Sequence, residues 1–465
     1  MKTKHLAWLA VSSLLGISAA RADIELIAAG SISGTYEDLA HKAAKQLENG
    51  VPGDRLGGIG SGLAYAGGTT FLALPDRGPN AVPYDSAIDD TSSYIERFQT
   101  FDLSLLQSDA GSALPFTLTP TLRSTTLLFS PTPLVYGTGA GLGVGSGQPA
   151  LNNGHRFYFT GRSDNFDASK LSTNPNNARL DAESIRVSRD GQSVFISDEY
   201  GPYVYQFDRA TGARLRAFKV PDKFAVTNLS SQGAVEISGN TAGRVANKGM
   251  EGLAITPDGR TLVGSMQSPL IQDGGTDGSV IRLLKIDIFT GATHEYAYPL
   301  TNIGTASKPK YPTVSDIVAV NDHQFLLDER DGKGLGDNSS AAVKRLYLID
   351  LNGAQDVSGI SGAANLAPKA VGKTLFLDVV SALSNSGFAV TDIPAKLEGV
   401  AFGPDVSMGG ANKHTLFVAN DNDFIANVTD SNHPAGFDNP SRWSLIYRLV
   451  GPADLRNAEI GRAHV

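Results

Sequence analysis

Three glutamates, Glu183, Glu251 and Glu398, each open a short β-rich run, and each is followed by small and apolar residues and, later, by a second β-rich run. If strands of this kind stack around one axis, a residue repeated at the strand start is presented several times to the same point. Carboxylates brought together in that way repel one another and take up protons unless a cation neutralises them. All-oxygen donors favour calcium, with magnesium as the alternative, over zinc or copper. Calcium is the expected ion, because its flexible coordination suits ligands drawn from separate strands. A second recurring place is the end of the following run: Asp76-Arg77-Gly78, Asp198-Glu199-Tyr200, Asp328-Glu329-Arg330 and Asn420-Asp421-Asn422-Asp423. The two ends of a regular hairpin lie at one edge of its sheet, so these clusters are expected to share a face with the glutamates. Arg77 and Arg330 then stand among carboxylates, where a guanidinium pairs with a carboxylate or grips a phosphate through two parallel donors. Tyr200 reads as a packing residue.

The elements that must position these groups are hairpins. Five segments, starting at residues 61, 183, 251, 315 and 398, share the order small or acidic residue, strand, turn, strand, acidic cluster. Asp190-Gly191 and Asp258-Gly259 supply the dipeptide favoured in tight hairpin turns. The gap from 61 to 183 has room for another copy, and His155 to Asp167 has the right β-rich, then acidic, character. The expectation is an all-β propeller of six blades with long inter-blade loops, since radial repetition protects strand edges without a helix layer. One helix is expected, over Glu37 to Leu47, from its apolar spacing. Ring closure is expected to pair Ile24 to Ala28 with the hairpin that ends at Ser444 to Val450.

Residues 1–22 have the order of a signal peptide: Lys2 and Lys4, an apolar run from Leu6 to Ile17, then Ala20-Arg21-Ala22. The mature domain is expected to run from 23 to 458, in a periplasm or secreted. Glu459 to Val465 reads as a translated sequencing adapter and is left out of the fold. Removing residues 1–22 removes three basic groups and no acidic one, taking the formal charge from −8 to −11. That charge argues against nucleic acid as a partner, and no later stretch is long and apolar enough to span a membrane. With no cysteine in the chain, disulfides, Cys-ligated zinc and a Cys nucleophile are excluded together. There is no G-x-S-x-G elbow, H-E-x-x-H, P-loop or dinucleotide fingerprint. The glycine-rich stretch Leu134 to Pro149 lacks a P-loop lysine and reads as a surface loop.

The segments Asp76 to Asn80, Asp181 to Ile185, Asp198 to Pro202, Met250 to Ala254, Glu398 to Phe402 and Asn420 to Phe424 together resemble the phytase-like (esterase-like activity of phytase) propellers of exported bacterial proteins. The resemblance runs from about Asp23 to the last strand. It implies a calcium-type site and a phosphoester or ester hydrolase. The chain departs from true β-propeller phytases: Asp89-Asp90 is followed by Thr91-Ser92 instead of Pro-Ala, and no Lys/Arg cluster is dense enough for six phosphates. Both departures argue against phytate as substrate.

On this reading Glu183, Glu251 and Glu398, helped by Asp328 and Asp421, hold calcium. Arg77 and Arg330 clamp a small anionic substrate, a phosphate ester, and Glu199 or Asp76 transfers the proton. The protein is expected to be a monomer. The alternatives are a propeller lactonase or carboxylic esterase using the same face, and a non-catalytic binding protein that calcium stabilises.

Overall fold

The computed structural model describes residues 24–80, 92–140 and 142–448. The signal segment, Asp89-Asp90 and the 459–465 tail lie outside the described residues. Five antiparallel sheets form the ring, each with four strands in inner-to-outer order. Blade 1 runs Gly62–Tyr65, Thr70–Leu74, Arg97–Gln107 and Phe116–Leu127; blade 2 runs Ala182–Val187, Ser193–Asp198, Val204–Asp208 and Arg214–Ala217. Blade 3 is Met250–Ile255, Thr261–Met266, Val280–Asp287 and Thr293–Pro299, and blade 4 is Thr313–Ala319, Gln324–Arg330, Lys344–Asp350 and Lys373–Asp378. Blade 5 is Lys396–Phe402, Ala411–Asp421 and Ser441–Arg448, completed by the N-terminal strand Ile24–Ile32; a short strand, Val406–Met408, also pairs with Ala411–Asp421. The expected closure between the first and last strands is therefore present, from Ile24 opposite Arg448 to Ile32 opposite Ser441.

The propeller has five blades, not six. The five recognised copies are the five inner hairpins, and the gap after the first is filled by blade 1's own outer strands, 11 and 12 residues long. The stretch His155 to Asp167 contributes only Phe157–Tyr158, which pairs with Phe129–Ser130 in a two-stranded ribbon, and then a loop. Its β-rich, then acidic, character belongs to an insertion. Turn chemistry carried more information than the blade count used: Asp208 and Asp287 each accept the N–H and hydroxyl of the Thr three residues on (2.8 and 2.6 Å; 2.7 and 2.9 Å), ahead of a glycine at positive φ, Gly212 or Gly291. That Asp-x-x-Thr-Gly turn joins the third and fourth strands of blades 2 and 3.

The helix expected over Glu37 to Leu47 is absent. A 3-10 turn at His41–Ala43 stands in its place, between bridges from Glu37 to Arg55 and from Gln46 to Pro52. Asp38 is the cause. Its fully buried carboxylate takes the Ala40 N–H (2.7 Å) and holds Arg97 (2.7 Å) and Gln99 (3.2 Å), a local alternative that competes with helical bonding. Leu39 and Tyr36, assigned to the apolar face, are exposed. The glycine-rich stretch is a loop as expected, but a seated one: the Gly137 and Gly139 N–H groups donate to Asn165 (2.7 Å) and Asp164 (3.1 Å).

A narrow five-fold ring fixes what the axis can hold. At the level of the second residue of each inner hairpin stand Gly62, Ser184, Gly252, Asp316 and Gly399, and two residues on stand Ala64, Arg186, Ala254, Val318 and Ala401. A Cβ on Gly252 would lie 2.9 Å from the Asp316 Cα, and one on Gly399 would lie 2.8 Å from the Gly60 carbonyl. Into this space Arg186 extends from blade 2. Its Nη2 donates to both Asp316 oxygens of blade 4 (2.8 and 2.9 Å), and its Nη1 to the Leu63 carbonyl of blade 1 (2.7 Å). Asp316 also accepts the Ser184 hydroxyl (2.9 Å) and the Val400 N–H of blade 5 (2.9 Å). Both partners are buried, so removing one strands the other. Asp316→Ala is expected to lower the unfolding free energy by about 3–5 kcal/mol, against about 1 kcal/mol for Asp208→Ala at an exposed turn. Urea unfolding of the two variants checks this; equal losses would show that the axial pair does not hold the ring.

Candidate functional site

Each glutamate owes its direction to a β-bulge. Pairing between the first two strands slips between Ala182 and Ile185 in blade 2, Met250 and Gly252 in blade 3, Val314 and Ile317 in blade 4, and Leu397 and Val400 in blade 5. The extra residue sits where Glu183, Glu251, Ser315 and Glu398 stand. A bulge breaks the alternation of faces and re-aims a side chain. Blade 1 has Ser61 at this level and no bulge in its pairing. Hairpin register brings the second-strand ends to the same edge: Ala182 lies opposite Asp198, Thr313 opposite Arg330 and Lys396 opposite Asp421.

At that edge two acidic groups have ligand oxygens within 4.8 Å of one another: Asp181, Glu183 and Glu199, all buried, and Asp76, Asp421 and Asp423. Glu183, Glu251 and Glu398 do not make up such a group. Arg330 separates the last two: its guanidinium pairs with Glu398, approaches Glu251 at 3.7 Å and donates from Nε to Ser315 at 2.7 Å. Glu251 accepts from Gln267 (2.7 Å), whose carbonyl takes the Lys248 ammonium (2.9 Å), and a hydrogen bond links it to Glu199. Glu199 also receives the Gly249 N–H at 3.1 Å. Arg77 reaches Asp181 through its main-chain N–H (3.2 Å) and Nη1 (2.9 Å), and Asn247 at 2.7 Å. Lys396 bridges Asp421 (2.8 Å) and Asp423. Asp328 is buried with neither oxygen hydrogen-bonded, facing Arg330 and Lys344.

The electrostatics follow from burial among like charges. Burial, then Glu251, Asp181 and Glu199, drives the Glu183 carboxyl well above the usual range. Burial and Asp421 do the same to Asp76. Glu199 is pushed up to about 7, by burial first and then by Asp181. Glu398 is raised to about 8, burial outweighing Arg330. Asp421 goes the other way: burial opposes ionisation, but the Lys396 ammonium overrides it and holds the carboxyl low. Without its ammonium neighbour the group would be as costly as the rest.

Sequence reasoning placed Asp76, Arg77, Glu183, Glu199, Glu251, Asp328, Arg330, Glu398 and Asp421 at one edge, and the structure groups Glu183 and Glu199 with Asp181, sets Arg77 against Asp181, and groups Asp76 with Asp421 and Asp423. Sequence reasoning gave no role to Asp181, Lys248 or Lys396, and named Asp423 only as part of the Asn420 to Asp423 cluster. Asp181 lies two residues before Glu183 and one hairpin away from Arg77; neither spacing announces the pair. Asp198 has a different duty from its neighbour Glu199. It accepts the Asp181 N–H (2.6 Å) and the Gly201 N–H (2.7 Å), fixing the strand that carries the acidic group. Asp198→Ala strands two buried donors and is expected to cost about 2 kcal/mol or more, read as a lowered unfolding midpoint. A variant as stable as the parent would mean that these N–H groups find other acceptors.

The family model described as phytase-like, esterase-like activity of phytase, matches residues 54–424. A curated relative, an uncharacterized secreted protein of the fungus Arthroderma benhamiae, is 33% identical over 187 residues, which cover 36% of this chain and 36% of the relative. The match thus spans about a third of that relative's length, and the similarity is not confined to bacterial proteins. Among solved structures, a putative 6-phosphogluconolactonase from Bacteroides uniformis aligns with a TM-score of 0.31 at 12% identity, covering 82% of this chain and 86% of that one. The Dos1 propeller aligns with a TM-score of 0.30 at 8% identity over 86% and 69%. Likenesses this loose carry no functional weight.

Proposed function

Since the chain belongs to the phytase-like family, we propose that it is an exported, cation-dependent hydrolase of small phosphate esters, with calcium as the ion. The observation that supports this reading is the fully buried group Asp181, Glu183 and Glu199, with Arg77 laid against it. Three carboxylates at that spacing are an all-oxygen donor set, and the upward shift of Glu183 and Glu199 is the sign of a missing positive charge. Asp181, Glu183 and Glu199 would hold the ion. When bound, it lowers the pKa of a water and takes charge from the phosphoryl oxygens. Arg77 and Arg330 orient the remaining ester oxygens, their forked donors favouring an anionic over a neutral ligand. Glu398 keeps Arg330 in place and Asp421 keeps Lys396. Glu251, hydrogen-bonded to Glu199, stands where a proton can be passed at neutral pH. Asp76, on the neighbouring acidic group, is the other proton-transfer candidate. Export rests on the order of residues 1–22 and on the word "secreted" in the relative's name.

Protein spanning 23–458, stripped with a chelator, is expected to release phosphate from a panel of monoesters and diesters only after calcium is added. Glu183→Gln should abolish that release. Arg77→Gln should weaken substrate binding more than turnover. Hydrolysis of lactones or aryl acetates, with no phosphate released from any ester, would replace the phosphatase reading with the esterase one. No hydrolysis of either class by folded, calcium-loaded protein would leave a binding protein.

The raised carboxyls make a separate, calorimetric prediction. Their folded pKa values lie above those of free carboxyls, so the apo site carries protons near neutrality that a cation must displace. Calcium affinity is therefore expected to rise with pH between about 6 and 8, with protons released on binding. Titrations in two buffers of different ionisation enthalpy measure that release, and identical apparent enthalpies would contradict it.

A further inference from the structure

Glu96 lies just before the third strand of blade 1 and is fully buried, and neither carboxylate oxygen has a hydrogen-bond partner. An unpaired buried carboxylate is among the costliest groups a fold can carry. Its neighbour Arg97 does not relieve it, because that guanidinium is turned to Asp38 (2.7 Å) and the Ile95 carbonyl (2.7 Å) and lies over the Tyr94 ring. The charged groups that face Glu96 are, in order, Asp181, Asp76, Arg97 and Asp198, three of them carboxylates. Asp328 is the instructive contrast: it too lacks hydrogen bonds, but the first charges facing it are the cations Arg330 and Lys344.

The backbone explains the placement. Thr160 bridges Ile95 on one side and Arg179 on the other, the Glu96 N–H donates to Phe159 (3.1 Å) and the Leu180 N–H donates to Thr160 (3.0 Å). Glu96 is thus one strand removed from the segment that ends in Asp181. Nothing in the packing requires an acid there; a glutamine or methionine would fill the same space. The oxygens of Glu96 stand outside the 4.8 Å group of Asp181, Glu183 and Glu199; we propose that Glu96 closes onto that centre when a divalent ion binds, as the carboxylate that meets the ion from the blade 1 side. The inference rests on the cation reading above and adds a fourth ligand, from a third chain segment. A fourth carboxylate raises the charge of the donor set, which favours tight calcium binding, and it ties the insertion between blades 1 and 2 to the site.

The test is calcium titration calorimetry, with thermal unfolding with and without calcium, on the parent, Glu96→Gln, Glu96→Met and Glu183→Gln. Both Glu96 variants should bind calcium at least tenfold more weakly. Their apo forms should unfold at or above the parent's midpoint, because a buried carboxyl without hydrogen-bond partners has gone, and calcium should raise that midpoint less than in the parent. Calcium affinity equal to the parent's in either folded variant, alongside weakened binding in Glu183→Gln, would overturn the role of Glu96 and leave the cation reading intact. A parent that binds no calcium would overturn the cation reading, and this inference with it.

Discussion

The interaction on which the ring depends is the buried pair of Arg186 and Asp316. A five-bladed propeller brings its inner strands so close that the axis is filled by a single side chain, and here that side chain is charged. Asp316 gathers the Arg186 guanidinium, the Ser184 hydroxyl and the Val400 N–H, while Arg186 adds the Leu63 and Ile317 carbonyls. Blades 1, 2, 4 and 5 are thereby tied to one point. In isolation such a pair is weak evidence for stability, since desolvation offsets much of the attraction. Its value is in register: the bonds from both Arg186 Nη atoms to blades 1 and 4 fix the rotation of blade 2 against blade 4.

Register at the axis sets register at the edge. The bulges that aim Glu183, Glu251 and Glu398 lie one residue before Ser184, Gly252 and Gly399, the positions that crowd the axis. The same local irregularity lets the inner strands approach and turns the acids outward. A propeller of six blades would have a wider axis, and the glycines at 62, 252 and 399 would lose their reason. The residue types at this level thus distinguish five blades from six better than the length of the gap did.

That signal was in the chain from the outset, as small residues at matching places in five copies, with Ser184, Asp316 and Arg186 as the exceptions. The hairpins, their inner positions, the closing strand and the acidic edge were all legible because each rests on a local pattern: alternation, turn dipeptides, a repeated acid. The blade count was not, because a β-rich, then acidic, insertion at 155–167 looks like a blade until its partners are known. The helix over 37–47 failed for a related reason. Spacing suggested an amphipathic face, and only the distant Arg97 and Gln99 reveal why Asp38 must turn inward instead.

The acidic edge was legible as a collection and not as a set of partners. Sequence supplied the carboxylates and the arginines, but which acid faces which cation is decided by blades far apart in the chain. The pairing divides the edge into two kinds of ground. Around Asp421 and Asp423 the Lys396 ammonium partly offsets the charge, and Arg330 does so for Glu398 and Glu251. Around Asp181, Glu183 and Glu199 the cations are Arg77, paired with Asp181, and Lys248, which faces Glu199, and further acids stand behind them. An ion attracted to this face by its overall negative field meets resident cations on one side and uncompensated carboxylates on the other. On the proposed reading the imbalance favours the second place, where burial among acids raises Glu183 and Glu199, with Arg77 and Arg330 at its margin to meet an anion.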